Sequence, residues 1–315
     1  MNIDRLSYAF CNRGLALGLL ILLSPRALAA ATLFASHDML EVELRGPISK
    51  LLADTSNRRR PFQIDAGDGL QAVTVRAGGR SRRRVCEFLP LSLEFDEAGS
   101  GSAAGRDRVL SGHELLYLTT QCKDTRRSSA DLVEEYLAYR ILNTITERSY
   151  RVRLLQITYV DTRQDDALTT HYAFVTESQH ALAQRLGGEV LETIALPKQR
   201  LNEEHAAMIY IFQYLIGNTD WSLVAANGDK TCCHNGQLIG MGAAIFYVPF
   251  DFDMAGLVNP PYARPDRSLR IKNVTDRLYR GYCGPADALA GALKHIVDRR
   301  EAIISLYRDS EALSP

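Results

Sequence analysis

The sequence predicts an α+β protein in two lobes, the first rich in strands and the second mainly helical. Three observations lead there. Apolar and polar residues alternate with period two through much of residues 40–120, helical spacing is concentrated after residue 178, and the first half lacks the β-α-β alternation of a parallel sheet. No internal repeat is present.

In chain order, residues 1–29 read as a secretory signal. Arg5 and Arg13 against Asp4 make a positive start, and residues 15–23 (LALGLLILL) form an apolar run closed by Ser24-Pro25. Ala27-Leu28-Ala29 then supplies an A-x-A cleavage pattern. The run is far shorter than the roughly 20 residues that cross a bilayer, so an uncleaved anchor is the weaker alternative. Cleavage removes three Arg and one Asp, turning 37 basic and 37 acidic side chains into 34 and 36. The expectation is a secreted or periplasmic chain with no membrane span. Its near-neutral charge gives no field for binding nucleic acid. A composition of 46% hydrophobic and 23% charged residues excludes a disordered or fibrous chain.

Leu40, Val42 and Leu44 alternate with Glu41, Glu43 and Arg45, which predicts a half-buried strand. Residues 70–76 and 89–95 read likewise, with Gly78-Gly79 as a turn between them. Residues 96–107 (DEAGSGSAAGRD) are a small, polar loop, and 115–120 make another strand. A helix follows, capped at Ser128-Ser129-Ala130-Asp131, with Leu132, Val133, Tyr136, Leu137, Ile141 and Ile145 at helical spacing. Residues 151–161 and 169–177 form an antiparallel hairpin across a polar turn. Beyond it, 178–187 and 202–216 read as helices, the latter stopped by Gly217-Asn218. Residues 243–249 are strand-like, and 284–309 hold two helical stretches parted near Arg299.

The densest polar constellation lies between residues 217 and 259. An aspartate leaving a helix (Asp220), a loop asparagine (Asn235) and two acids at a strand end (Asp251, Asp253) follow in order. An Asn and an Asp on neighbouring elements can share a hard divalent cation through oxygen ligands, and a loop Asp can take a hydroxyl proton.

The motifs GNTD, HN and VPFDFD resemble the catalytic segment of atypical members of the protein-kinase-like superfamily, nearest in style to spore-coat CotH kinases and HipA-type kinases. Longer stretches such as FLPLSLEF, EEYLAYRILNTIT, SYRVRLLQITYVDT and DFDMAGLVNPPYA resemble an uncharacterised group of secreted bacterial proteins over residues 84–284. The resemblance implies a two-lobed protein-kinase-like fold, with a β-rich N-lobe over 30–177 and a mainly helical C-lobe over 178–315. It implies Asp220 as catalytic base and Asn235, Asp251 and Asp253 as ligands of Mg2+ (or Mn2+) carried with ATP. Glu135 takes the place of the helix glutamate that pairs with a nucleotide-positioning lysine, and residues 174–177 that of the strand beside the adenine.

One departure matters. The strand before the Glu135 helix reads ELLYL at 114–118, without a lysine, so Lys123 or an arginine of residues 80–84 is the expected substitute. The implied function is transfer of the ATP γ-phosphate to a hydroxyl on an unknown protein or small-molecule acceptor. Two alternatives stand beside it: a catalytically inactive binding module using the same cleft, and a D-x-D metal-dependent nucleotide-sugar glycosyltransferase, which the missing β-α-β alternation disfavours.

Beyond the signal, the cysteines are Cys86, Cys122, Cys232, Cys233 and Cys283. Their places beside strands and around the polar segment suggest Cys86–Cys122 and Cys233–Cys283 bridges, with Cys232 odd. A zinc site at Cys232-Cys233-His234 is disfavoured, because adjacent cysteines do not readily ligate one tetrahedral ion. The arginine runs at 58–60 and 80–84 read as solvated loop charge or as a grip for an anion. Residues 254–283, rich in Pro and Arg, read as an ordered surface loop that either receives an anionic substrate or simply connects.

Overall fold

The computed structural model describes residues 33–79, 82–96, 108–164, 167–224 and 231–313; the signal-like segment and residues 97–107 of the expected glycine-rich loop lie outside them. Seven strands close into a barrel: β1 (Leu40–Gly46), β2 (Arg60–Asp65), β3 (Gln71–Ala77), β4 (Leu91–Glu94), β5 (Leu115–Thr120), β6 (Val152–Asp161) and β7 (Ala167–Glu177). Their order around the barrel is β1-β2-β3-β4-β5-β7-β6. Neighbours are antiparallel except at the closure, where β1 runs parallel to β6 from Leu40↔Leu155 to Gly46↔Asp161. Alternation builds the interior. In β3, Val73, Val75 and Ala77 point inward and meet Leu44, Leu93, Leu116, Leu118 and Ile157 in one aliphatic core.

The outer face of β6 and β7 is also covered, which is why β6 is buried along both faces at its ends. The cover is the long helix α2 (Arg126–Ile145); a short helix, α1 (Ile48–Ala53), precedes it in the chain. Its cap is Thr125, whose Oγ1 accepts the Ser128 N–H at 3.2 Å, and not the expected serines one turn later. Arg126 and Arg127 hid this start, since cations are poor company for a helix N-terminus. Leu132, Val133, Tyr136, Leu137, Ile141 and Ile145 enter a second core with Phe174 and Leu154 of the barrel wall.

That second core continues into the C-terminal part. Helices α3 (Gln179–Leu186), α4 (Glu203–Ile216), α5 (Ala286–Val297) and α6 (Arg300–Arg308) accompany a three-stranded sheet of order β10-β9-β8, from β8 (Glu189–Leu191), β9 (Gly236–Met241) and β10 (Ala244–Pro249). The two-lobed protein-kinase-like fold with a helical C-lobe is therefore corrected. The N-terminal strands form a closed barrel, and the region after residue 178 mixes sheet and helix. The parallel β1–β6 pairing joins segments far apart in sequence, and no local pattern announces it.

Cys86 and Cys122 are disulfide-bonded, tying the segment before β4 to the end of β5. The expected Cys233–Cys283 bridge is not formed. Cys233 is bonded to its neighbour Cys232, whose backbone N–H reaches the Thr193 carbonyl, whereas Cys283 lies on an exposed stretch and is free. Among the described residues no helix is long and apolar enough to cross a membrane. The Cys86–Cys122 bond is compatible with an extracellular protein.

Candidate functional site

A cavity of about 800 Å³ opens where the barrel wall, α2 and the C-terminal sheet meet. Glu135, Asp220, Asn235, Asp251 and Asp253 all line it. Five expected site residues from separate parts of the chain thus share one space. Lys123, the sixth, does not line it. It is exposed in the turn before α2, where its backbone N–H donates to Ser128 Oγ at 3.0 Å.

The positive charge beside Glu135 comes from Arg82. This residue sits on a tight turn (Arg82–Arg84) after Gly78-Gly79, and its carbonyl accepts the Cys86 N–H at 2.8 Å. The Cys86–Cys122 bond therefore holds the turn against the end of β5. Arg82 is 8% exposed, and its guanidinium lies 3.1 Å from Glu135, 3.1 Å from Asp253 and 3.9 Å from Asp251. Burial alone would lower its pKa; Asp253 and Glu135 outweigh that and hold it well above the ordinary range. Burial raises Glu135 above the usual carboxylate range against the pull of Arg82, and Asp253 and Asp251 push it the same way. Asp251 is also raised, by burial and then by Asp253; its side chain is 48% exposed, but to the cavity it lines. Three carboxylates face one guanidinium. Burial and mutual repulsion push two of them toward the protonated form, and a second cation would favour their ionised form.

Local structure aims each group. Helix α4 ends at Gly217 in the left-handed conformation (φ 67°), with the Arg277 guanidinium where a Cβ would stand. Buried Asn218 then accepts the Asp220 N–H at 2.9 Å, while its carbonyl accepts Trp221 Nε1–H at 3.2 Å. Asn235 Nδ2 donates to the Asp220 carbonyl at 2.7 Å and to its Oδ2 at 3.0 Å, and His234 Nε2 lies 3.1 Å from Oδ1. With its nitrogen so engaged, the Asn235 amide keeps its oxygen as an acceptor. Its backbone is left-handed (φ 50°) and its carbonyl accepts from Phe250 N–H and the Tyr247 hydroxyl, both at 3.1 Å. Asp251 is left-handed too (φ 60°), and its N–H donates to the Tyr139 hydroxyl at 2.8 Å. Phe252, fully buried against Tyr139 and Phe212, anchors the strand end between the two acids. Two non-glycine residues in this conformation, side by side in one cavity, are strain held where chemistry is expected.

The donor set suits a hard divalent cation in part. Asp251 and the Asn235 oxygen are the hard ligands such an ion takes when phosphate oxygens and water complete its shell. Asp253 is engaged otherwise, by Arg82 and by the Tyr262 hydroxyl at 3.1 Å. Among the described residues no three His, Cys, Asp or Glu side chains converge as a complete metal cage.

The rest of the cavity is aromatic and polar. Tyr150 and Phe250 meet edge to face at 6.0 Å, and the Tyr117 hydroxyl donates to Gln179 Oε1 at 2.8 Å. Thr176 of the expected adenine-side strand lines the cavity, whereas Phe174 and Val175 belong to the cores and Glu177 pairs with Arg185 at 2.6 Å. Tyr139, Tyr262 and the contact of His234 with Asp220 are not evident from the sequence alone. Tyr139 stands one helical turn after Glu135, the one signal that was available. No family model matches the chain, and no curated protein is significantly similar to it.

Proposed function

We propose that the cavity binds a nucleoside triphosphate with Mg2+ or Mn2+ and transfers its terminal phosphoryl group to a hydroxyl acceptor. The observation that carries this reading is the meeting of Asp220, Asn235 and Asp251 in one cavity beside the Arg82–Glu135–Asp253 cluster. The likeness of GNTD, HN and VPFDFD to kinase-like catalytic segments supports the same chemistry. When bound, the cation neutralises charge on the phosphate oxygens. Asp251 and the Asn235 oxygen hold it. Arg82, kept in place by Glu135 and Asp253, faces the phosphates as the charge-assisted contact that the strand lysine does not supply. Asp220, oriented by Asn235 and His234, takes the proton of the acceptor hydroxyl. The acceptor oxygen then bonds to the γ-phosphorus as the bond to the β–γ bridging oxygen breaks, and the nucleoside diphosphate leaves with that electron pair. Tyr150, Phe250, Tyr117 and Gln179 suit the base.

The test is a thermal-shift series on the signal-free protein with millimolar ATP, GTP and UDP-sugars, each with and without Mg2+ or Mn2+. Stabilisation by ATP or GTP that needs the cation, and that Asp251→Ala removes while Asp220→Ala keeps, is the expected result. Response to UDP-sugars alone would move the site to glycosyl transfer, and no response to any nucleotide would end the proposal.

A further inference from the structure

Residues 259–285 are tied to the site at both ends. At the start, Tyr262 lines the cavity and donates to Asp253. At the end, Arg280 Nη1 donates to the carbonyls of Thr219 and Trp221, the residues on either side of Asp220, the second at 2.6 Å. The segment is thus fixed beside Asp253 at its start and beside the backbone around Asp220 at its end.

Its charge is lopsided. It carries Arg264, Arg267, Arg270, Lys272, Arg277 and Arg280 against only Asp266 and Asp276. Both acids are spent on the segment's own turns. Asp266 Oδ1 accepts from Ser268 N–H and hydroxyl at 2.7 and 2.6 Å, and Asp276 Oδ2 accepts the N–H groups of Lys272 and Asn273 at 2.9 and 3.0 Å. All the cations except Arg280 are exposed. Arg264 and Arg277 donate only to nearby backbone carbonyls, which leaves their charge uncompensated. The chain as a whole has no net charge, so this is local placement and not overall composition.

We infer that this segment is the acceptor-binding surface and that the acceptor is an acidic peptide segment, its hydroxyl residue flanked by Asp or Glu. Guanidinium forks pair with planar carboxylates in bidentate fashion, and four of the five exposed cations are arginines. They are mounted singly on an irregular loop, an arrangement that suits carboxylates strung along a flexible chain better than a flat layer of lipid headgroups. The phosphoryl-transfer reading is needed only for what is passed to the peptide; the binding surface stands without it.

Binding and transfer are therefore measured separately. A fluorescein-labelled peptide with one Ser between Glu residues, and its Lys-flanked twin, are titrated with the signal-free protein by fluorescence anisotropy, without nucleotide. The Glu peptide should bind at least tenfold more tightly, and the difference should shrink steeply as salt is raised. The triple variant Arg267→Glu, Arg270→Glu, Lys272→Glu should reverse the preference while leaving the ATP thermal shift unchanged. Equal binding of the twins, or a preference that survives charge reversal, overturns the inference. Tighter binding of polygalacturonate or of anionic vesicles than of the Glu peptide overturns its choice of partner. Peptide binding without any nucleotide response would retain this surface and discard phosphoryl transfer.

Discussion

The two cores of this molecule differ in how many aromatic rings they hold. The barrel interior is mainly aliphatic, with Leu44, Ile64, Val75, Leu93, Leu116, Leu118 and Ile157 beside Phe34, Phe62 and Tyr159. The second core adds to its aliphatic residues a larger set of rings, among them Tyr136, Tyr139, Phe174, Phe212, Trp221, Tyr247 and Phe252, and its edge carries the buried Arg82–Glu135–Asp253 cluster. Aliphatic side chains fill space and ask for nothing more. Aromatic rings with hydroxyl tips fill space and also reach polar groups, as Tyr139 does with Asp251 and Tyr247 with Asn235. A wall that must be apolar behind and polar in front is made from tyrosine. The barrel is a platform and the second core is a mounting.

The sharpest break in that comparison comes from one substitution on each side. On the phosphoryl-transfer reading, Asp220→Ala lowers the transfer rate by about 10²–10⁴-fold and leaves the unfolding midpoint almost unchanged. Leu116→Ala, deep in the barrel, does the reverse: about 2–5 kcal/mol is lost in denaturant unfolding, while the nucleotide thermal shift is retained. Equal effects of the two on both readouts would show that the cores are not separable.

A second test sits at the junction. The Cys86–Cys122 bond closes a loop with a sequence separation of 36, and losing it should destabilise the protein by about 4 kcal/mol. Unlike Leu116→Ala, the Cys86→Ser, Cys122→Ser variant should also weaken nucleotide binding, because the bond holds the turn that presents Arg82. Unfolding in urea and ATP titration of the variant check both halves. Peptide mapping that finds both thiols free in the oxidised protein would remove the premise.

The smallest effect compares the cores through one histidine each. Burial lowers His113, beside Phe34 of the barrel core, to about 4, and likewise His205, whose ring nitrogen reaches the Tyr247 carbonyl. Between that value and the ordinary 6.5 the unfolded chain binds protons that the folded one refuses. Stability is therefore full above about pH 6.5 and falls as the pH drops toward 4, by up to roughly 3 kcal/mol for each histidine. His113→Leu should flatten the profile by the barrel's share alone. A stability curve level from pH 7 to 4 would contradict both.

Much of this was legible in the sequence, and the failures have physical causes. Strands β1 and β3 are announced by alternation, and α4 by its spacing and the Gly217 stop. The site residues after 217 could be ordered along the chain because loop acids after a helix and a strand end are local features. The strand β2 was obscured by Arg58-Arg59-Arg60, since Arg60 and Arg59 serve ion pairs with Asp54 and Glu94 instead of marking a loop. For the charge at Glu135 the sequence offers Lys123 or the 80–84 run. Choosing Arg82 requires knowing how a tight turn folds over a helix, which is tertiary information. The sequence favours a long-range bridge over the Cys232–Cys233 bond, because exposure of Cys283 cannot be read from its neighbours.

The parallel seam between β1 and β6 has a consequence in time. Leu40 is among the first described residues to leave a ribosome or a translocation pore, yet its partner Leu155 follows most of the barrel. Until Asp161 has emerged, the seam edge of β1 has no strand to pair with, and the aliphatic interior is open along that line. Non-local pairing of this kind is slow to form, and exposed edges invite association with other chains. A chain made this way gains from being held extended until its first half is complete.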